Sequence, residues 1–104
     1  EQAALLLDGL LKPGFLPPHL RLAMLTAVPV GHDPADRPWT VPSYGLGVMR
    51  EGAEPGGAAG HTGGGPGSVI AVYRRTDRGA VETGAAFASG TDQAAVERAA
   101  FGLA

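Results

Sequence analysis

Cysteine is absent from these 104 residues, so disulfides and thiolate metal centres are excluded, although exported bacterial proteins without cysteine are common enough that the compartment stays open. Charge is scarce as well: Asp, Glu, Lys and Arg make up 17% of the chain, against roughly a quarter in soluble domains. With a formal net charge of -2 and no run of Lys or Arg, the sequence lacks the electrostatic footprint of a nucleic-acid binder. No stretch approaches the ~20 consecutive apolar residues of a membrane span, and the N-terminus shows no basic segment followed by an apolar one. Lysine occurs once, at Lys12, which excludes a phosphate-binding loop ending in Gly-Lys-Ser/Thr.

What is present fits one small domain of marginal core size. Apolar residue types reach 44%, so part of the surface is expected to lie under a cover, and residues 1–104 are read as a single partial domain. Leu6, Leu7, Leu10 and Leu11 form a stripe at helical spacing over residues 2–11, closed by Lys12-Pro13-Gly14. A second helix follows Pro17-Pro18, with Leu22, Met24 and Leu25 as its apolar residues and Pro29 as its limit. Residues 30–42, rich in proline, read as an ordered loop anchored by Trp39.

Residues 43–51, SYGLGVMRE, predict one strand whose Gly45 and Gly47 share a face and admit something close to the backbone. Residues 68–75, SVIAVYRR, predict a strand covered on both faces, and residues 80–89 its antiparallel hairpin partner. Val81, Thr83, Ala85 and Phe87 fall on one face of the latter, and Glu82, Gly84, Ala86 and Ala88 on the other. Asp92 is placed to cap a final helix whose stripe is Val96, Ala99, Ala100 and Leu103. The fold class is therefore α+β, helices packed on an antiparallel sheet, with residues 68–75 and 80–89 at its centre.

Between the strands lies Gly60-His61-Thr62-Gly63-Gly64-Gly65-Pro66-Gly67. By composition the wider stretch 52–67 is a flexible linker, and its histidine incidental. The glycines precede a strand and do not open a helix, which argues against a dinucleotide site. His32, Asp33 and Asp36 are the only candidate metal cluster, and turn chemistry in a proline-rich loop explains the same residues. Arg74 and Arg75 read as a solvated strand end.

The order of features (leucine helix, LPPHLRLAML, YGLGV, GHTGG, then PG and an apolar strand, a second strand and a terminal helix) resembles the C-terminal segment of the class C β-lactamase, D,D-carboxypeptidase and esterase family of penicillin-binding serine hydrolases. The resemblance spans nearly the whole chain. It implies the C-terminal part of a β-lactamase/transpeptidase-like fold, with His61, Thr62 and Gly63 as the His-Thr-Gly substrate-binding wall and the Gly64 N–H as an oxyanion-hole donor. A backbone donor at glycine suits acyl transfer, because negative charge develops on a carbonyl oxygen that must approach closely. It implies no metal and no cofactor, and a β-lactam, D-amino-acid peptide or small ester as substrate.

The family's nucleophile, the Ser of Ser-x-x-Lys, is missing: Ser43, Ser68 and Ser89 have no lysine three residues on. No tyrosine begins a Tyr-x-Asn motif. These elements are expected in an N-terminal part of the same fold, which would be the partner of this segment. The alternative is a non-catalytic binding module that retains the fold. The edge of residues 80–89 is expected to pair with that N-terminal part or, in isolation, with a second copy.

Overall fold

A computed structural model describes residues 1–31, 37–52, 56–77 and 79–102. It has the α+β architecture expected: a six-stranded antiparallel sheet in the order β1-β2-β3-β4-β5-β6 with helices on both faces. The elements are α1 (Gln2–Leu11), α2 (Pro18–Leu25), β1 (Val28–Pro29), β2 (Pro42–Tyr44), β3 (Met49–Glu51), β4 (Ala58–Gly65), β5 (Ser68–Arg75), β6 (Glu82–Ser89) and α3 (Gln93–Ala100).

Strand β5 forms where β-branched and aromatic residues run together, and it pairs along its whole length with β4 on one side and β6 on the other. Strand β5 is thus an interior strand that joins the two longest ladders, and β6 is an edge strand, which corrects the expectation that residues 80–89 are central. Strand β4 is the surprise of composition. AAGHTGGG has little intrinsic β-propensity, and it is extended because eight register pairs with β5 satisfy its backbone.

Residues 43–51 are not one strand. Gly45 N–H donates to Val48 O at 2.9 Å, and the chain reverses through Leu46 and Gly47 between β2 and β3. The close approach anticipated at Gly45 is present, since a Cβ there would fall 1.9 Å from Met24 O at the end of α2.

Alternation sorts the side chains into two cores. On one face Ala58, Val69, Ala71 and Tyr73 pack with Val96, Ala100 and Phe101 from the α3 end of the chain and with Trp39 from the loop before β2. Trp39, Tyr73 and Phe101 meet edge to face, with centroids 4.9 to 5.2 Å apart. That geometry sets the positive edge of one ring against the negative face of the next. Trp39 is therefore the loop anchor anticipated. On the other face Leu7 and Leu11 of α1 pack on Ala59, with Met24, Leu25 and Val72 alongside. Ile70 on that face is exposed, so β5 is covered on both faces only over part of its length.

Helix α3 begins as expected, with the Asp92 carboxylate accepting from Ala95 N–H at 3.0 Å. Val96 and Ala100 are buried, Ala99 is exposed, and Leu103 lies outside the described residues. Arg74 and Arg75 are not a solvated end. Arg74 is buried and its Nε donates to Asp8 of α1 at 3.0 Å, tying helix to sheet. Arg75 pairs with Asp77, whose hydrogen bonds raise the guanidinium pKa, and also donates to Phe101 O at 2.7 Å.

Candidate functional site

Strand β4 has two halves with different neighbours. Only Ala59 and Gly60 are in register with β3, whereas β5 pairs with all eight residues. Thr76 N–H donates to Gly57 O at 3.1 Å, one register step beyond Ala58 and Arg75. In an antiparallel ladder the bonded pairs recur at every second residue, so Ala59, His61, Gly63 and Gly65 turn their backbone groups to β5. The N–H and C=O groups of Thr62 and Gly64 then point the other way, off an edge that β3 does not reach.

Side chains alternate across the same strand. His61 is exposed on the α1 face, and its ring engages Tyr44 of β2, with Nε2 3.0 Å from the Tyr44 hydroxyl. Its other nitrogen, Nδ1, lies 2.9 Å from Thr62 O. A carbonyl only accepts, so Nδ1 carries the hydrogen, and in the neutral ring Nε2 accepts from the Tyr44 O–H. This arrangement holds the imidazole at the open edge and caps the outward carbonyl of Thr62. The outward N–H groups of Thr62 and Gly64 remain beside it.

Thr62 points the opposite way. Its hydroxyl is buried, donating to Glu97 Oε1 at 2.6 Å and bonded to the Tyr73 hydroxyl at 2.6 Å. Glu97 is 0% exposed, and its carboxylate also receives both ends of the Arg37 guanidinium and Trp39 Nε1–H at 3.2 Å. One buried carboxylate therefore joins the loop, the sheet and α3. Burial pushes the Tyr73 phenol well above its ordinary value, with Glu97 adding to the rise and the Thr62 hydrogen bond opposing it.

Of the residues singled out from sequence, the His61 ring and the Gly64 backbone lie at the open edge, Thr62 offers that edge its backbone and not its hydroxyl, and Gly63 turns its backbone to β5. Gly64 is exposed, and an added Cβ would come closest to the flexible end of Gln93, at 2.7 Å. Tyr44 and Glu97 are invisible to motif reading. Glu97 alone leaves a trace, a carboxylate between Val96 and Ala100 on a buried stripe. A cavity of about 210 Å³ adjoins Tyr44, with Trp39, Met49 and Arg37 in its wall.

Among the described residues no group of three His, Cys, Asp or Glu is gathered to hold a metal ion, and His32, Asp33 and Asp36 lie outside them. No described helix is long and apolar enough to cross a membrane. The geometry defines the class of molecule only as far as an α+β domain with a glycine-rich, histidine-bearing sheet edge. No family model, no curated protein and no solved structure matches this chain.

Proposed function

We propose that this chain supplies one wall of an acyl-transfer site of the β-lactamase-like serine hydrolase kind, acting on a β-lactam, a D-amino-acid peptide or a small ester. The observation that carries the reading is the open half of β4, where the Gly64 N–H leaves the sheet next to the exposed, Tyr44-oriented His61. A donor fixed in a strand needs no reorganisation when a carbonyl oxygen becomes negative, and glycine leaves room for the approach. His61 Nε2 is engaged by the Tyr44 O–H and Nδ1 by Thr62 O, so the ring is fixed at the edge, where it holds a substrate and does not attack it. Thr62 contributes through its backbone, because Glu97 occupies its hydroxyl.

On this reading the nucleophile is supplied by a second polypeptide segment, because no serine here is followed by lysine three residues on. Alone, the chain is expected to hydrolyse neither a chromogenic β-lactam nor a p-nitrophenyl ester above background, and stoichiometric acylation of Ser43, Ser68 or Ser89 by a penicillin would overturn this. Where Glu1 is preceded in the same reading frame by Ser-x-x-Lys, the His61→Ala variant of that polypeptide should lose roughly 100-fold in turnover, the scale on which a misplaced substrate reacts more slowly. Its Tm should stay within ~2 °C of the parent, since His61 is exposed and outside both cores. A loss of activity that merely tracks unfolding assigns His61 a structural role and removes the proposal.

The same reading gives β6 its partner. Its far edge is unpaired among the described residues, and Phe87 and Val81 are exposed along it, with Glu82 its one acidic residue. Such an edge templates further pairing. A strand from the nucleophile-bearing part fills it in the whole enzyme, and a second copy fills it when the chain is alone. Sedimentation of the isolated chain should show a dimer with slowed amide exchange at Thr83, Ala85 and Phe87; a monomer in which those amides exchange freely refutes self-pairing.

A further inference from the structure

The cavity beside Tyr44, about 210 Å³ in volume, opens on the α3 face of the sheet. Tyr44 and Met49 are register partners on β2 and β3, so their side chains stand on one face, and the Tyr73 hydroxyl donates to Met49 Sδ at 3.6 Å on that same face. Trp39 is buried at the floor of the cavity, and Val30 and Tyr44 are exposed at its mouth. The Tyr44 hydroxyl reaches past the end of β3 to His61 Nε2, so the cavity and the open edge of β4 share one wall.

The lining selects the occupant. Trp39 already meets Tyr73 and Phe101 edge to face, at 5.2 and 5.1 Å, and neither of those rings borders the cavity. A ring entering it would add a fourth member to this aromatic cluster. Pro42 and Met49 complete an apolar wall, and a thioether beside an aromatic ring is a favourable contact. The two guanidiniums in the wall are bonded elsewhere, Arg37 to Glu97 and Arg50 to the carbonyls of Leu25, Gly56 and Ala58, so the cavity suits an uncharged group. Apolar cavities of ~150 Å³ already take up benzene, because water finds too few partners in them.

We propose that this cavity binds a single uncharged aromatic ring, and that the molecule processed at the His61 edge carries such a ring as a substituent. The first statement stands on the cavity alone; the second rests on the acyl-transfer reading.

The probe is benzyl alcohol, with cyclohexylmethanol as its non-aromatic match. Each is titrated into the chain and followed by NMR of the Trp39 Nε1–H, the one indole signal of the chain, and of the Met49 methyl. Saturable shifts at both are expected, with affinity for benzyl alcohol about threefold or more above that for cyclohexylmethanol, the scale of an aromatic pair beyond its buried area. Val30→Phe places a ring of the chain's own at the mouth and should weaken binding about tenfold or more without lowering the ligand-free Tm, since Val30 is exposed. Tyr44→Phe keeps the wall and drops the hydroxyl. It should bind as the parent does, whereas the shift that the ligand induces at the His61 ring in the parent should disappear. Shifts that stay linear, or an unchanged affinity in Val30→Phe, overturn the cavity as the site. Equal affinity for the two alcohols overturns the aromatic assignment, and a His61 response that survives in Tyr44→Phe overturns the shared wall. Ring binding by a polypeptide that carries Ser-x-x-Lys yet cleaves no ester would leave the ring site standing and remove the acyl-transfer reading; ester cleavage without ring binding would do the reverse.

Discussion

Replacing Glu97 by Ala is expected to cost about 3–5 kcal/mol, the range for removing one partner of a buried ion pair. The loss is larger than a surface salt bridge would give because every group left behind is buried or half-buried. Arg37 loses the Glu97 carboxylate, Trp39 Nε1–H its Glu97 acceptor, and Thr62 and Tyr73 the end of their hydrogen-bond chain. In a chain of this size each kcal/mol corresponds to ~4–8 °C, so Tm should fall by more than ~12 °C in a thermal scan, or the variant should be unfolded at room temperature. The separate effect of charge is read from Glu97→Gln, which keeps the shape and should lose less. A Glu97→Ala variant melting within ~4 °C of the parent would show that the carboxylate is not what holds loop, sheet and helix together.

The second large effect is expected at Gly60, where β4 passes between β3 and the middle of β5. A Cβ at this position would lie 1.9 Å from Val72 O and 2.8 Å from Tyr73 Cα. Those are backbone atoms of the interior strand β5, so no side-chain rotation relieves the clash. Gly60→Ala should therefore destabilise by the upper part of the ~1–3 kcal/mol typical of overpacking, or more. Gly64→Ala, on the same strand, is the control: its Cβ meets the movable end of Gln93, and its Tm should change little. Equal melting of the two variants would mean that the sheet can slide at Gly60 and that the glycine there is not required by packing.

Tyr44 illustrates how far motif reading reaches. Gly45 and Leu46 follow it, so it starts no Tyr-x-Asn motif, and nothing else in its neighbourhood marks it as part of a site. Its contact with His61, 17 residues away, depends on the hairpin at Leu46 and Gly47, which lays β3 beside β4 and β2 beyond it. The pattern of residues 43–51 runs on through that hairpin, and a two-residue turn of Leu and Gly interrupts it too briefly to register as a break.

Local chemistry determined much of the fold. The leucine stripe ended by Lys12-Pro13-Gly14 determined α1 at Gln2–Leu11, the β-branched run determined β5 at Ser68–Arg75, and Asp92 determined the start of α3. Each is a property of neighbouring residues, and short-range periodicity, breakers and caps report it faithfully. Tertiary structure decided the rest. Strand β4 is extended because β5 pairs with it, although its own residues favour no such state. Thr62 turns inward because Glu97 waits 35 residues later, and Arg74 is buried because Asp8 lies 66 residues before it. Pairing across such separations is chosen by sheet register and by the cost of leaving a buried charge alone, and neither quantity is carried by any window of adjacent residues.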